Sequence, residues 1–138
     1  MAWMNYFLDT NICIYIMNKR PPAIIARFAQ FQPYEIGISA IVVSELEYGV
    51  AKSHQPSRNQ QRLELFLSPF QIVPYDRAAA QAYGTIRATL ERNGQLIGRE
   101  DLLIAAHALA ADMTLVTNNE QEFLRVPDLK VENWTSAN

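Results

Sequence analysis

Three acidic residues of this chain stand inside otherwise apolar stretches, a placement that points towards chemistry. Asp9 directly follows the β-prone run Asn5 to Leu8, Glu45 follows Ile41, Val42 and Val43 within a helical stretch, and Asp101 opens Asp101-Leu102-Leu103-Ile104-Ala105-Ala106. A carboxylate on an apolar helix face is costly to desolvate unless it is paired or bound to a cation, so Glu45 and Asp101 are better ligand candidates than freely solvated acids, while Asp9 projects from a strand tip where backbone donors and Thr10 or Asn11 could orient it. Asn118 and Asn119 end another β-prone run and add amide oxygens able to reach a metal or its water. An oxygen-only donor set suits Mg²⁺ or Mn²⁺ rather than zinc.

Each of these residues also has a purely structural use. Asp9 can N-cap the following helix, and Asp101 can complement a helix dipole, for which Glu100 would serve as well with easier solvation. Glu47 rivals Glu45, because one shares a stripe with Val43 and Val50 and the other with Ile41, Val42 and Gly49. Helical phase alone does not separate them. Adjacent asparagines most often make turns. His107 reads as a satisfied core residue and His54 as part of a loop before Gln55 and Pro56. There is no nucleophile-elbow motif for a Ser/His/Asp triad, and none of the 5 glycines forms a phosphate-binding loop.

The elements that must position the acids alternate between the two periods of regular structure. Strands are expected at Asn5 to Leu8, Glu35 to Ile38, Phe70 to Val73, Thr114 to Thr117 and Lys130 to Trp134. Between them lie helical stretches: one from Asn11, stopped by Pro21 and Pro22; one through Ile24, Ile25 and Phe28; one capped by Ser39 and running to about Lys52; and one opened by Pro56. Further helices run from Arg77 to Asn93, with Asp76 as N-cap and Gly94 closing, from about Arg99 to Ala111, and from Glu120 to Arg125. About five strands interleaved with helices imply an α/β sandwich with a mainly parallel sheet, whose functional groups collect beyond the carboxyl ends of the strands. Asp9 and the Asn118/Asn119 pair fall at such ends, while Glu45 and Asp101 fall near helix starts over the same edge.

A length of 138 residues with 49% hydrophobic content fits one domain, residues 1–138, able to bury a core without cross-links. Cys13 is the only cysteine, so neither a disulfide framework nor a thiolate metal site is expected. No basic leader with an apolar core is visible, and the longest apolar stretch is interrupted by His107, so a cytoplasmic protein with no membrane association is expected. The net charge of −2 argues against broad electrostatic attraction to nucleic acid. Any such contact must rest on a few placed cations, for which Arg87, Arg92 and Arg99, leading into Asp101, are candidates.

Taken together, these residues resemble the PIN-domain family, and within it the VapC toxins of bacterial VapBC systems. The resemblance rests on FLDTNICIYIM (7–17), SELEYG (44–49), IGREDLLIAAHAL (97–109), LVTNNEQEF (115–123) and VPDLKVENW (126–134), in the family order and over nearly the whole chain. It implies a PIN-like α/β/α sandwich and resolves the local ties in favour of Asp9, Glu45 and Asp101. Asp9 and Asp101 are then direct ligands of Mg²⁺ or Mn²⁺, Glu45 a ligand directly or through water, and Asn119 a positioning group among the catalytic residues. Thr10 and Thr117 supply supporting hydroxyls, and Asn118 an amide. Many relatives carry a fourth acid where Asn119 stands, a departure for which Glu120 or Glu122 is a candidate to compensate. The implied activity is hydrolysis of RNA, with an initiator tRNA anticodon loop favoured. The implied partners are a VapB-type antitoxin, a second copy of the chain in a homodimer, and operator DNA only through the antitoxin. A haloacid-dehalogenase type of phosphotransferase also carries an acid at the first strand tip, but needs a second Asp where Asn11 stands. The non-enzymatic alternative is a PIN-fold regulatory protein that binds DNA through its antitoxin and cuts little.

Overall fold

Tyr6–Leu8 (β1) pairs with Ile36–Ser39 (β2) on one side and with Thr114–Val116 (β4) on the other, while Gln71–Val73 (β3) and Lys130–Glu132 (β5) form the edges. The computed structural model describes residues 3–135. All four pairings are parallel, giving the strand order β3-β2-β1-β4-β5. The sequence expectation of a mainly parallel sheet of about five strands is met by a wholly parallel one. Strands only three or four residues long suffice because the central ones are covered on both faces. Phe7, Leu8, Ile36, Ile38, Leu115 and Val116 are all buried.

The helices are Thr10–Met17 (α1), Pro22–Phe28 (α2), Ala40–Ala51 (α3), Pro56–Leu67 (α4), Arg77–Arg92 (α5), Arg99–Ala110 (α6) and Glu120–Phe123 (α7). Their caps follow from the residues at their ends. The Ser39 hydroxyl accepts from the Ile41 N–H, Asp76 accepts from the Ala79 N–H, and Gly94 closes α5 at φ +65°. The proline pair does not end α1. That helix stops at Met17 in a Schellman turn, in which Lys19 takes φ +59° and the Arg20 N–H donates to the Tyr15 carbonyl. Pro22 instead occupies the first turn of α2, where its missing N–H costs nothing. The last strand stops at Glu132, because Trp134 leaves the ladder to stack on Phe31 at 5.1 Å and is fully buried.

The order of the strands matters most for the site. Chain progression runs outward from β1 through β2 to β3, then returns to the other side of β1 for β4 and β5. Strand order therefore reverses between β1 and β4, and the crevice outside their carboxyl ends is the topological switch point of this class of sheet. Asp9 follows β1 and Thr117 to Asn119 follow β4, so both segments border that crevice.

Beneath it, His107 on α6 is buried and joins three segments. Its Nδ1 is 2.7 Å from the Ser39 hydroxyl at the end of β2, and its other side is hydrogen-bonded to the Pro74 carbonyl. A carbonyl can only accept, so the ring nitrogen facing Pro74 carries the proton and Nδ1 accepts from Ser39. Burial holds the imidazole below its ordinary pKa, in the neutral form this pattern needs. We predict that Ser39→Ala destabilises the fold by about 1–3 kcal/mol, since it removes a helix cap and leaves a buried acceptor unpaired. The measurement is urea unfolding, where a lower midpoint at unchanged slope is expected.

Candidate active site

Asp9 is both the cap and the site residue. Its backbone is extended at ψ 160°, as an N-cap requires, and Oδ1 accepts from the Thr10 N–H at 2.6 Å. Oδ2 accepts from the Thr117 hydroxyl at 2.7 Å, across the crevice from β4. Only 6% of the residue is exposed. Burial raises its pKa, and the two hydrogen bonds oppose that shift.

The ambiguity between Glu45 and Glu47 is resolved by a contact between α1 and α3. The Thr10 hydroxyl donates to Glu45 Oε1 at 3.0 Å. Glu47 lines a separate depression with Pro56, Gln60 and Glu64, between α3 and α4. Glu45 lies in the second turn of α3 rather than near its start, because the Ser39 cap begins the helix at Ala40. Burial again raises its pKa, opposed by the Thr10 hydrogen bond and reinforced by the charges of Asp9 and Glu100.

Asp101 sits in the first turn of α6, half-buried, whereas Glu100 is exposed. Burial is the largest cause of its raised pKa, which reaches about 7, followed by a hydrogen bond with Glu122 and the charges of Asp9, Glu122 and Glu45. Glu122 moves the other way, because it accepts from both Asp101 and Asn119. The two carboxyls thus titrate as a pair holding one proton between them. Asn119 secures this arrangement, its side-chain N–H donating to Glu122 Oε2 at 2.6 Å and its backbone N–H to the Thr117 hydroxyl at 3.0 Å.

A continuous path of hydrogen bonds therefore runs Glu122, Asn119, Thr117, Asp9, Thr10, Glu45, with Asp101 joined through Glu122. Among the described residues none of these four acids makes an ion pair; the three salt bridges present lie elsewhere. Also among the described residues, no three His, Cys, Asp or Glu side chains already enclose a metal-sized position. The donor set nevertheless suits a hard divalent cation: it consists of hydroxyl and amide oxygens and of carboxylates, and for Asp101 and Glu45 burial, reinforced by the neighbouring negative charges, raises the affinity for protons. Without a cation, Asp101 and Glu122 lower that repulsion by sharing a proton.

The remaining sequence candidates divide. Glu122 joins the cluster, whereas Glu120 accepts from Asn133 at 3.3 Å and takes no part in the path. Asn118 turns to Tyr15, donating to its hydroxyl at 2.9 Å, a partner the sequence reading did not single out. Arg99 is exposed at the start of α6. Arg87 is engaged by Glu91 and Tyr83 and Arg92 by Thr89, all within α5.

An open parallel α/β sheet with an acid cluster at its switch point belongs to the class of sheets that bind their ligands in the crevice outside the carboxyl ends of the strands. The family model described as PIN domain matches residues 6–129. "Ribonuclease VapC2" of Rickettsia felis is 46% identical over 132 residues, covering 95% of this chain and 98% of the relative. "tRNA(fMet)-specific endonuclease VapC" of Shigella flexneri is 41% identical, covering 96% and 99%. The crystal structure of VapBC2 from Rickettsia felis bound to a DNA fragment from its promoter superimposes with a TM-score of 0.87 at 44% identity, covering 95% of this chain and 99% of that one. The chain belongs to the PIN-domain family, among the VapC ribonucleases of VapBC toxin–antitoxin systems.

The crowding has a measurable consequence. With its pKa raised by folding, the Asp101–Glu122 pair keeps a proton that the unfolded chain has already released, so its contribution to stability falls as pH rises from the ordinary carboxyl range towards 7. Asp101→Asn removes the titration and keeps an N–H donor for Glu122. We predict that in chelator-treated protein this variant melts higher than the parent at about pH 8, and that the difference is much smaller at about pH 5, closing only near the ordinary carboxyl pKa of about 4. Thermal unfolding at both values tests it.

Proposed function

We propose that this chain is a metal-dependent endoribonuclease, the toxin of a toxin–antitoxin pair, which hydrolyses phosphodiester bonds in RNA to inhibit translation. The observation that carries this reading is the convergence of Asp9, Glu45, Asp101 and Glu122 with no ion pair to any of them among the described residues, Arg125 acting on Glu122 only through its charge. Asp9 and Asp101 are the residues to hold Mg²⁺ or Mn²⁺ directly, with Glu45 as a ligand directly or through water. Such an ion supplies a bound water of lowered pKa and stabilises the charge on the leaving oxygen. The chain's own part is orientation. Thr117 and the Thr10 N–H fix the Asp9 carboxylate, the Thr10 hydroxyl steers Glu45, and Asn119 holds Glu122 where it can accept the Asp101 proton.

The name of the Shigella flexneri relative supports initiator tRNA as substrate; the anticodon loop is the position favoured by the family resemblance alone. The Rickettsia felis complex supports a VapB-type antitoxin as partner, with operator DNA contacted through it, and a homodimeric toxin is part of the same reading. A groove of about 260 Å³ between α1, α3 and α4 fits an antitoxin segment, since Ile14, Met17, Leu46, Val50 and Leu63 line it and Glu45 stands in its wall. A basic side chain of the antitoxin placed against Glu45 would supply the charge that a metal otherwise brings.

We predict that Asp9→Asn and Asp101→Asn each abolish nearly all RNA cleavage while leaving the circular dichroism spectrum intact, and that a chelator abolishes wild-type cleavage until Mg²⁺ or Mn²⁺ is restored. Cleavage by either folded variant at near wild-type rate would refute the ligand assignment. Soluble protein that neither cuts RNA nor arrests growth would favour the regulatory alternative.

Mapping the new ends in total bacterial RNA tests the substrate. One or a few cuts in tRNA are expected, and indiscriminate degradation of single-stranded RNA would overturn the assignment. Arg99→Gln should slow cleavage more than Arg87→Gln, because Arg87 is already engaged by Glu91 and Tyr83 whereas Arg99 makes no side-chain hydrogen bond among the described residues.

A further inference from the structure

We propose that Tyr15 and Arg20 form a subsite for one nucleotide of the RNA strand next to the scissile phosphate, the base stacking on the tyrosine ring and a phosphate pairing with the arginine. The inference rests on the nuclease reading above and extends it to a place that reading leaves unassigned. An open depression of about 300 Å³ is lined, among the described residues, by Tyr15, Arg20, Pro21 and Thr135, none of them an acid. Its side chains are those that take a polynucleotide strand: an aromatic face, an uncommitted cation and small neutral groups.

Three features tie this depression to the acid cluster and fix its shape. The Tyr15 hydroxyl accepts from Asn118 at 2.9 Å, and Asn118 lies between Thr117 and Asn119, which bond to Asp9 and Glu122 respectively. Tyr15 is six positions along α1 from Asp9, about 9 Å of helical rise, a separation suited to a neighbouring nucleotide. The Schellman turn folds Arg20 back over the end of α1, its backbone N–H donating to the Tyr15 carbonyl at 3.1 Å, which brings the exposed arginine to the wall that Tyr15 forms.

The state of the guanidinium separates Arg20 from most cations of the chain. Arg27 is held by Glu132, Arg62 by Met17 and Asn18, and Arg87 by Glu91 and Tyr83. Among the described residues Arg20 makes no side-chain hydrogen bond or ion pair, so it can meet a phosphate without first breaking an internal one. On a protein of net charge −2, such placed cations must carry the attraction that a basic surface supplies elsewhere.

The test measures binding of a synthetic anticodon stem–loop RNA to the full chain carrying the cleavage-suppressing Asp101→Asn change, with Tyr15→Ala, Tyr15→Phe or Arg20→Gln added. Tyr15→Ala is expected to weaken binding about tenfold, whereas Tyr15→Phe retains most of it because the ring remains. Arg20→Gln is expected to weaken binding several-fold and to reduce the salt dependence by about 0.7 in log–log slope, the signature of one lost phosphate contact. A purely structural role for Arg20 would leave that slope unchanged. If wild-type protein cuts RNA while Tyr15→Ala and Arg20→Gln bind the stem–loop as their parent does, the subsite is refuted and the nuclease reading stands. If wild-type protein neither binds nor cuts RNA, both fall. Loss of antitoxin affinity with RNA affinity intact would assign the depression to the protein partner and likewise refute the subsite.

Discussion

Like-charge repulsion at the crevice between β1 and β4 is the constraint around which the rest of this structure is arranged. Asp9, Glu45, Asp101 and Glu122 come from the ends or early turns of four separate elements, and each pair brought together in a poorly solvated place costs free energy. A sheet and its helices hold such a cluster only when the scaffold is rigid and every carboxyl has a partner that lowers its cost. The hydrogen-bond partners here are neutral: two threonine hydroxyls, an asparagine amide, a backbone N–H and a shared proton, while Arg125 acts on Glu122 through its charge without an ion pair. Neutral partners leave the charge of the site available to a cation, where a lysine or arginine would have cancelled it.

Rigidity comes from the layers beneath. The central strands are buried on both faces, and His107 ties α6 to the ends of β2 and the segment after β3 through a neutral imidazole. Since Asp101 stands on the same helix as His107, a packed and hydrogen-bonded α6 limits how far the acid can retreat from its neighbours. Strain from the cluster is thus opposed by burial of apolar surface, the largest favourable term in a domain of this size.

The edges of the crevice are polar in different ways, and this asymmetry bears on recognition. Towards α3 and α4 the acids adjoin an apolar groove, suited to a folded or folding protein segment. Towards the end of α1 the cluster is linked through Asn118 to Tyr15, which lines a second depression with Arg20. The two depressions therefore differ in chemistry, one mainly apolar and the other aromatic and basic.

Much of this architecture is legible in the residues themselves, because local physics decides it. The alternation of apolar runs, the caps at Ser39 and Asp76 and the glycine at position 94 specify elements through interactions only a few residues apart. The placement of Asp9 at a strand tip and of Asp101 on the packed side of its helix was visible for the same reason. Phase along α3 leaves Glu45 and Glu47 equivalent, and only the approach of α1, through Thr10, distinguishes them. The end of α1 looked like the work of two prolines, yet a left-handed Lys19 and a 3.1 Å hydrogen bond across the turn decided it before they were reached. The pairing of Asp101 with Glu122, and of Tyr15 with Asn118, joins residues 21 and 103 positions apart. Such pairings depend on strand order, which is set by how the whole chain buries its apolar faces, and no local pattern encodes it.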